Sequence, residues 1–286
     1  MMCRHQALFT RPLDKDIVQC LLCPHQCCIS PGHTGLCRTR YNEEGTLYVL
    51  SYGQCAALAL DPIEKKPLQR FHPGSLILSV GSWGCNLSCS FCQNWQIAQC
   101  QPPTQYVSPE TLINLALEQQ RNGNIGAAFT YNEPLLSYEY ILHTAPLLHQ
   151  AGLQTVMVSN GYINEEPLQA LLPHIDAWNI DLKGPDTFYR SVCGGTRAPV
   201  ERAIQLAAAV SHVEVTTLVI PGCNDTEKDM AHEAQWLASI RPDIPLHITR
   251  YFPRYHYTVP PTPIATLKRL AAISQKFSTY VYIGNV

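Results

Sequence analysis

The chain has 286 residues, a formal net charge of −2 and a pI near 6.6. That length accommodates one large core with a small appendage, and the near-neutral balance argues against a nucleic-acid partner held by a strong basic field. The opening MMCRHQALFTRPLDKD has no continuous apolar run and the longest uncharged stretches are strand-sized, so neither export nor a membrane span is expected and the expected compartment is the cytoplasm.

Thirteen cysteines in such a chain point to metal or redox chemistry rather than disulfides. The first cluster, residues 20 to 40, reads CLLCPHQCCISPGHTGLCRTR. Cys20, Cys23, Cys27 and Cys37 supply four soft ligands, enough for a tetrahedral zinc or a second iron–sulfur cluster; the spacing does not choose. Cys28, adjacent to Cys27, is left out of the ligand set, and His25 and His33 are expected at the surface or behind the ligands. Cys3, Cys55, Cys100, Cys193 and Cys223 are scattered and are expected to be mostly small buried hydrophobes. Pro62, Pro67 and Pro73 punctuate the stretch that follows. A boundary is placed there, giving a Cys-rich segment over 1–73 and a larger unit over 74–286.

From residue 75 short apolar runs alternate with amphipathic segments. Strands are expected at 75–81, 125–131, 155–160, 177–183, 213–220, 246–252 and 279–285, where β-branched and aromatic residues dominate. Helices are expected from Ser108 with Pro109 at the first helical position, after Asn164, and from near Asp225. Such alternation predicts an α/β fold with a parallel sheet and helical crossovers, open or closed into a barrel.

Polar residues gather where these strands end: Tyr131-Asn132-Glu133-Pro134, Ser159-Asn160-Gly161, Asp181-Leu182-Lys183-Gly184, Pro221-Gly222-Cys223-Asn224-Asp225, and His247 with Arg250 and Tyr251. The C-terminal rim of a parallel sheet is where such folds build sites. Asp181 and Lys183 alternate to one face, so both can point inward.

After the first strand comes GSWGCNLSCSFCQNW. Cys85, Cys89 and Cys92 give three thiolates from one tight loop, which leaves one corner of a cubane open to a small molecule. A zinc loop borrowing a distant fourth ligand is the alternative. Trp83 and Trp95 flank the loop as packing residues.

Cys85-x3-Cys89-x2-Cys92, with Phe91 before the third cysteine, resembles the radical S-adenosylmethionine (SAM) signature. The resemblance implies a partial (β/α)6 TIM-like barrel and a [4Fe-4S] cluster whose open iron binds SAM. One electron then cleaves SAM to methionine and a 5′-deoxyadenosyl radical that abstracts hydrogen from a substrate. It implies cofactor contacts at Phe91, Tyr131, Asn132, Glu133, Ser159, Asn160, Asp181, Lys183 and Arg250. The Tyr131–Pro134 segment takes the place of a Gly-Gly-Glu-Pro segment that holds the SAM amino group. Asp181-Leu182-Lys183 is similar to a segment of glycyl-radical-enzyme activases in which the aspartate helps bind a monovalent cation. Leu218 to Gly222 resembles the stretch flanking adenine.

The N-terminal block, followed by Asp61-Pro62-Ile63-Glu64-Lys65-Lys66-Pro67-Leu68, is similar to the radical SAM component of the AmmeMemoRadiSam system, related to pyruvate formate-lyase activating enzymes. The implied partners are a reductant such as flavodoxin or ferredoxin, and a protein substrate or the other proteins of that system, with no nucleic acid and no membrane. A reading of a different class is an iron–sulfur electron carrier or redox sensor, which has no reason to bind SAM. A zinc-dependent nucleic-acid module ranks last, for want of a basic stripe.

Overall fold

The computed structural model describes residues 5–286, so Cys3 lies outside the described residues. One eight-stranded sheet organises the chain, and its spatial order follows its chain order. β1 (Ala57–Pro62) runs antiparallel to β2 (Leu76–Gly81). From β2 onward each strand is parallel to the next: β3 (Asn124–Phe129), β4 (Gln154–Ser159), β5 (Ala177–Asp181), β6 (His212–Val219), β7 (Leu246–Arg250) and β8 (Val281–Gly284). Parallel strands added in sequence, each with a helical return, keep the helices on one face and curl the sheet. β1 and β8 do not pair, so the result is a partial barrel.

Six helices return the chain: α1 (Pro109–Glu118), α2 (Tyr138–Gln150), α3 (Glu165–Leu171), α4 (Ala198–Ala208), α5 (Glu227–Ile240) and α6 (Ile264–Ser274). α1 starts as its sequence requires, with Ser108 Oγ accepting from the Thr111 amide and Pro109 in the first turn. α5 is capped by Thr226, which accepts from the Asp229 amide, and not by Asp225, whose carboxylate accepts from Gly222 N at 3.0 Å. Asn164 sits at the cap position of α3 but spends its side chain on the Leu21 carbonyl at 2.7 Å. That bond ties the barrel to the Cys-rich segment.

Within that segment, short antiparallel strands build two three-stranded sheets, one from His5–Gln6, Thr46–Val49 and Arg40–Glu43, the other from Thr10–Pro12, Val18–Cys20 and Cys28–Ile29. The chain then enters the main sheet through β1. The residues between β1 and β2 close the barrel floor. Ile63 and Leu68 are fully buried against Ile77, Ala128, Val156 and Ala177. Asn179 Nδ2 donates to Pro67 O at 2.9 Å, and Glu214 accepts from the Gln69 and Arg70 amides at 3.0 and 2.7 Å. With the floor filled, the main cavity lies at the C-terminal ends of the strands.

Candidate functional site

The loop after β2 carries Cys85, Cys89 and Cys92, and hydrogen bonds to its backbone from three directions fix it. Ser88 N donates to Cys193 O at 2.8 Å, His256 N donates to Ser90 O at 3.0 Å, and Asn132 Nδ2 donates to Gly84 O at 3.2 Å. Asn132 also accepts from Ser82 N at 2.9 Å, so its side chain staples the end of β3 to the start of the loop.

The three cysteines form one wall of a cavity of about 330 Å³, with Phe91 among them. The strand ends supply the facing wall: Tyr131, Asn132 and Glu133 after β3, Ser159 and Asn160 at β4, Asp181 and Lys183 at β5, with Thr216 and Leu218 from β6 and Thr249 from β7. The volume suits one small cofactor-sized ligand. Phe91 is buried and stacks on Phe188 with ring centroids 5.6 Å apart.

Glu133 is the most constrained polar group. It is 2% exposed, its Oε1 accepts from Ser159 Oγ at 2.8 Å and Leu135 N at 3.0 Å, and its Oε2 accepts from Asn160 N at 2.8 Å. Burial pushes its carboxyl up to about 7 against the pull of those donors. Asn160 Nδ2 reaches Asn86 Oδ1 at 2.9 Å and Cys85 Sγ at 3.6 Å, linking the β4 end to the cysteine loop. Lys183 Nζ donates to Asp181 Oδ2 at 2.7 Å. Burial disfavours the ammonium, yet the Asp181 carboxylate and then the Cys89 sulfur hold it well above the ordinary lysine range.

Tyr131 adopts φ +73, the left-handed conformation that favours glycine, at the position where the related segment has glycine. Its ring is anchored: the hydroxyl donates to Asp61 Oδ2 at 2.5 Å, and Lys66 Nζ lies 4.5 Å from the ring centroid while donating to the same Asp61 oxygen at 2.8 Å. Lys65 and Lys66 both line the cavity. Neither was among the expected site residues, although the Asp61–Leu68 string containing them stands out in the sequence.

Arg250 does not line the cavity. Its Nε donates to Thr262 O at 2.9 Å and its guanidinium lies 4.7 Å from the Phe252 ring. Side chains alternate along a strand, and β7 presents Thr249 to the cavity, so its neighbour faces away. Cys193 is fully buried in a π-type turn, Tyr189–Cys193, and pairs with Cys89 from behind without lining the cavity. Cys100 is exposed rather than buried, while Cys55 Sγ donates to Ala57 O at 3.2 Å and Cys223 Sγ meets Tyr257 Oη at 2.8 Å.

The thiols themselves fit an iron–sulfur cluster. Burial, then the Glu133 charge, raises Cys85 well above the usual thiol range; the Cys193 contact, then burial, does the same for Cys89. Such thiols ionise when a metal takes the place of the proton. Three thiols spread along one wall of a large cavity suit a body of several metal atoms. The remaining polar wall, a buried carboxylate with amides, hydroxyls and an ammonium–carboxylate pair, suits a ligand with both amino and carboxylate groups.

A cysteine loop at the mouth of a partial barrel, facing such a wall, is suited to a thiolate-held metal cluster with a small polar ligand beside it. Residues 81–237 match the radical SAM superfamily, and the chain belongs to it. It is 41% identical to an uncharacterized protein of Methanocaldococcus jannaschii over 98% of this chain and 85% of that one. It is also 25% identical to the benzylsuccinate synthase activating enzyme of Thauera aromatica, over 65% of this chain and 57% of that one. Among solved structures, Streptococcus suis SuiB bound to S-adenosylmethionine superposes with a TM-score of 0.56 at 13% identity, over 71% of this chain and 48% of that one, a likeness of fold. No helix among the described residues is long and apolar enough to cross a membrane.

Proposed function

We propose that this chain is an enzyme that cleaves SAM reductively at a [4Fe-4S] cluster held by Cys85, Cys89 and Cys92. When bound, these groups supply a 5′-deoxyadenosyl radical and methionine from SAM and one electron, the electron coming from a reductant such as flavodoxin or ferredoxin. The observation that carries the reading is the convergence of three loop thiols with Glu133, Ser159, Asn160, Asp181 and Lys183 on one cavity.

Each residue then has a physical task. Glu133, fixed by its three donors, keeps unused lone pairs for an ammonium group. Asn160 couples the ligand-facing strand end to the loop that carries Cys85, so ligand and cluster share one frame. Asp181 and Lys183 offer opposite charges side by side, suited to a carboxylate with a monovalent cation beside it. The filled barrel floor and buried Leu87 keep water from reaching the cavity from behind.

The activating-enzyme relative supports a protein substrate, with a backbone glycine as the hydrogen donor. The N-terminal cysteines and the Asp61–Leu68 string support membership of the AmmeMemoRadiSam group and action in the cytoplasm with that system's proteins as partners; the barrel unit expected from 74 is better drawn from Ala57, since Ala57–Pro62 pairs with β2 and Ile63 and Leu68 pack under the sheet. Anaerobic protein, reconstituted with iron and sulfide and given SAM and a strong reductant, is expected to release 5′-deoxyadenosine. SAM binding without that product overturns the proposal.

A further inference from the structure

Cys20, Cys23, Cys27 and Cys37 lie far apart in the sequence relative to the radical loop, but the fold gathers all four around one small cavity. Three of them are at most 9% exposed and Cys27 is half-buried, so this is an interior site. The cavity is about 10 Å³. That is room for about one water-sized sphere. It contrasts with the cavity of about 330 Å³ beside Cys85, and it is the size of a single ion rather than of four irons with four sulfides.

The surroundings are those of a thiolate cage. Thr39 Oγ1 donates to Cys37 Sγ at 3.3 Å, and neighbouring backbone amides favour the ionised sulfurs of Cys20, Cys23 and Cys27, although burial opposes it. Donors of this kind are the outer support that metal-bound thiolates need. Arg40 also lines the cavity, is 1% exposed, and is paired through its terminal nitrogens with Glu139, while its Nε is buried without a partner. Four thiolates around a divalent ion carry a net charge of −2, and the Arg40 guanidinium at the cavity wall is a cation coupled to Cys20 and Cys37.

The same segment is the back wall of the radical loop. Gly84 has φ +86, and a Cβ there would lie 2.5 Å from Thr39 Cγ2 and 2.9 Å from Cys37 O. His25, between Cys23 and Cys27, donates through Nε2 to Asn86 O at 2.7 Å. Asn86 follows Cys85 directly and accepts from Asn160.

We infer that Cys20, Cys23, Cys27 and Cys37 bind one zinc ion, and that this ion fixes the Cys37–Thr39 and His25 contacts against which the Cys85 loop is built. No three of these side chains are close enough to hold an ion as they stand, so binding draws the four sulfurs inward by rotation about their side-chain bonds. The four thiols lose their protons as the ion enters, and no redox change accompanies the step. The inference about the loop rests on the proposed cluster site; the zinc site does not.

The test uses the full chain purified without added metal. The triple variant C85A/C89A/C92A is expected to keep one zinc per chain by elemental analysis, with X-ray absorption showing four sulfurs at about 2.3 Å. The variant C23S/C37S is expected to lose that zinc and to take up less than half the iron and sulfide of the parent on reconstitution. Should C23S/C37S not fold, the triple variant decides alone. Zinc absent from the triple variant, or iron with sulfide in its place, overturns the zinc site. Zinc retained by the triple variant while C23S/C37S loads its cluster normally overturns the bracing role. Failure of SAM cleavage leaves zinc content unchanged, so the two readings fail separately.

Discussion

Glu133 and Asn160 stand at the ends of neighbouring strands and are joined where the Asn160 amide donates to Glu133 Oε2 at 2.8 Å. This bond, with those from Ser159 and Leu135, makes one buried carboxylate the node that sets two strand ends relative to each other. Glu133→Ala leaves three buried donors without an acceptor. At about 1 kcal/mol each, the expected loss is about 3 kcal/mol of stability. Glu133→Gln keeps the shape but points an amide NH2 at an existing donor, and should fall between parent and alanine. Denaturant titration measures the stability and equilibrium dialysis the SAM binding; unchanged values for both variants would remove Glu133 from the account.

Tyr131→Phe tests the anchor of the strained turn. The hydroxyl bond to Asp61 is charge-assisted, because Lys66 and Tyr131 hold the Asp61 carboxyl far below its usual range although burial opposes this. Removing it should cost about 2 kcal/mol. Lysine-to-methionine substitution at Lys66 should cost a similar amount, and the double variant should lose less than the sum, since both groups act through one carboxylate. Strict additivity would contradict a shared anchor.

Gly84→Ala should destabilise the chain by about 2 kcal/mol or more. The new methyl group would have to occupy space held by Thr39 and Cys37, and φ +86 strains any L side chain. Thermal melting reads the effect, and a melting temperature equal to the parent's would show that the two segments part easily.

Glu233 predicts a pH dependence away from the cavity. It is buried on α5, and burial pushes its carboxyl up to about 7, with Asp229 and Glu201 adding to the rise and Thr217 and Arg197 opposing it. Thr217 Oγ1 donates to Leu182 O at 2.9 Å and also reaches Glu233 Oε1. The folded value lies above the unfolded one near 4.5, so the folded state holds the proton more tightly. This contribution to stability is full below pH 4.5, falls as pH rises towards 7, and is lost above it. The span corresponds to about 3 kcal/mol. Glu233→Gln should therefore flatten the decline and raise stability at pH 8, as measured by urea unfolding across pH. An unaltered profile would mean the carboxylate is ionised in the fold at no penalty.

How much of this was legible in the sequence differs by residue. The parallel strands showed themselves because runs such as TVMVSN and LHITRYF are rich in β-branched, apolar and aromatic residues, with polar ones mostly towards their ends, as buried parallel strands tend to be. Asp181 and Lys183 were legible from their place at a strand end, from the resemblance of Asp181-Leu182-Lys183 to an activase segment, and from the alternation that turns both to one face. The same alternation, with the strand end fixed one residue differently, turns Arg250 away and leaves Thr249 facing the cavity. α2, α4 and α6 carry no side-chain cap that a reader of the sequence could find. The anchor of Tyr131 by Asp61 and Lys66 was hidden because it joins positions 70 residues apart and depends on a positive φ that no tyrosine advertises. Cys193 was visible as a thiol near the rim, but only the π-type turn puts it behind Cys89.

The central claim is that the polypeptide gives the cluster three sulfurs and leaves its remaining iron to SAM. Electron paramagnetic resonance of the anaerobically reduced, reconstituted protein, recorded with and without SAM, addresses this directly. A signal that shifts on adding SAM, and that fails to shift in Glu133→Ala, is the predicted result. A signal indifferent to SAM, with Cys193 or another side chain found as a permanent fourth ligand, would contradict it.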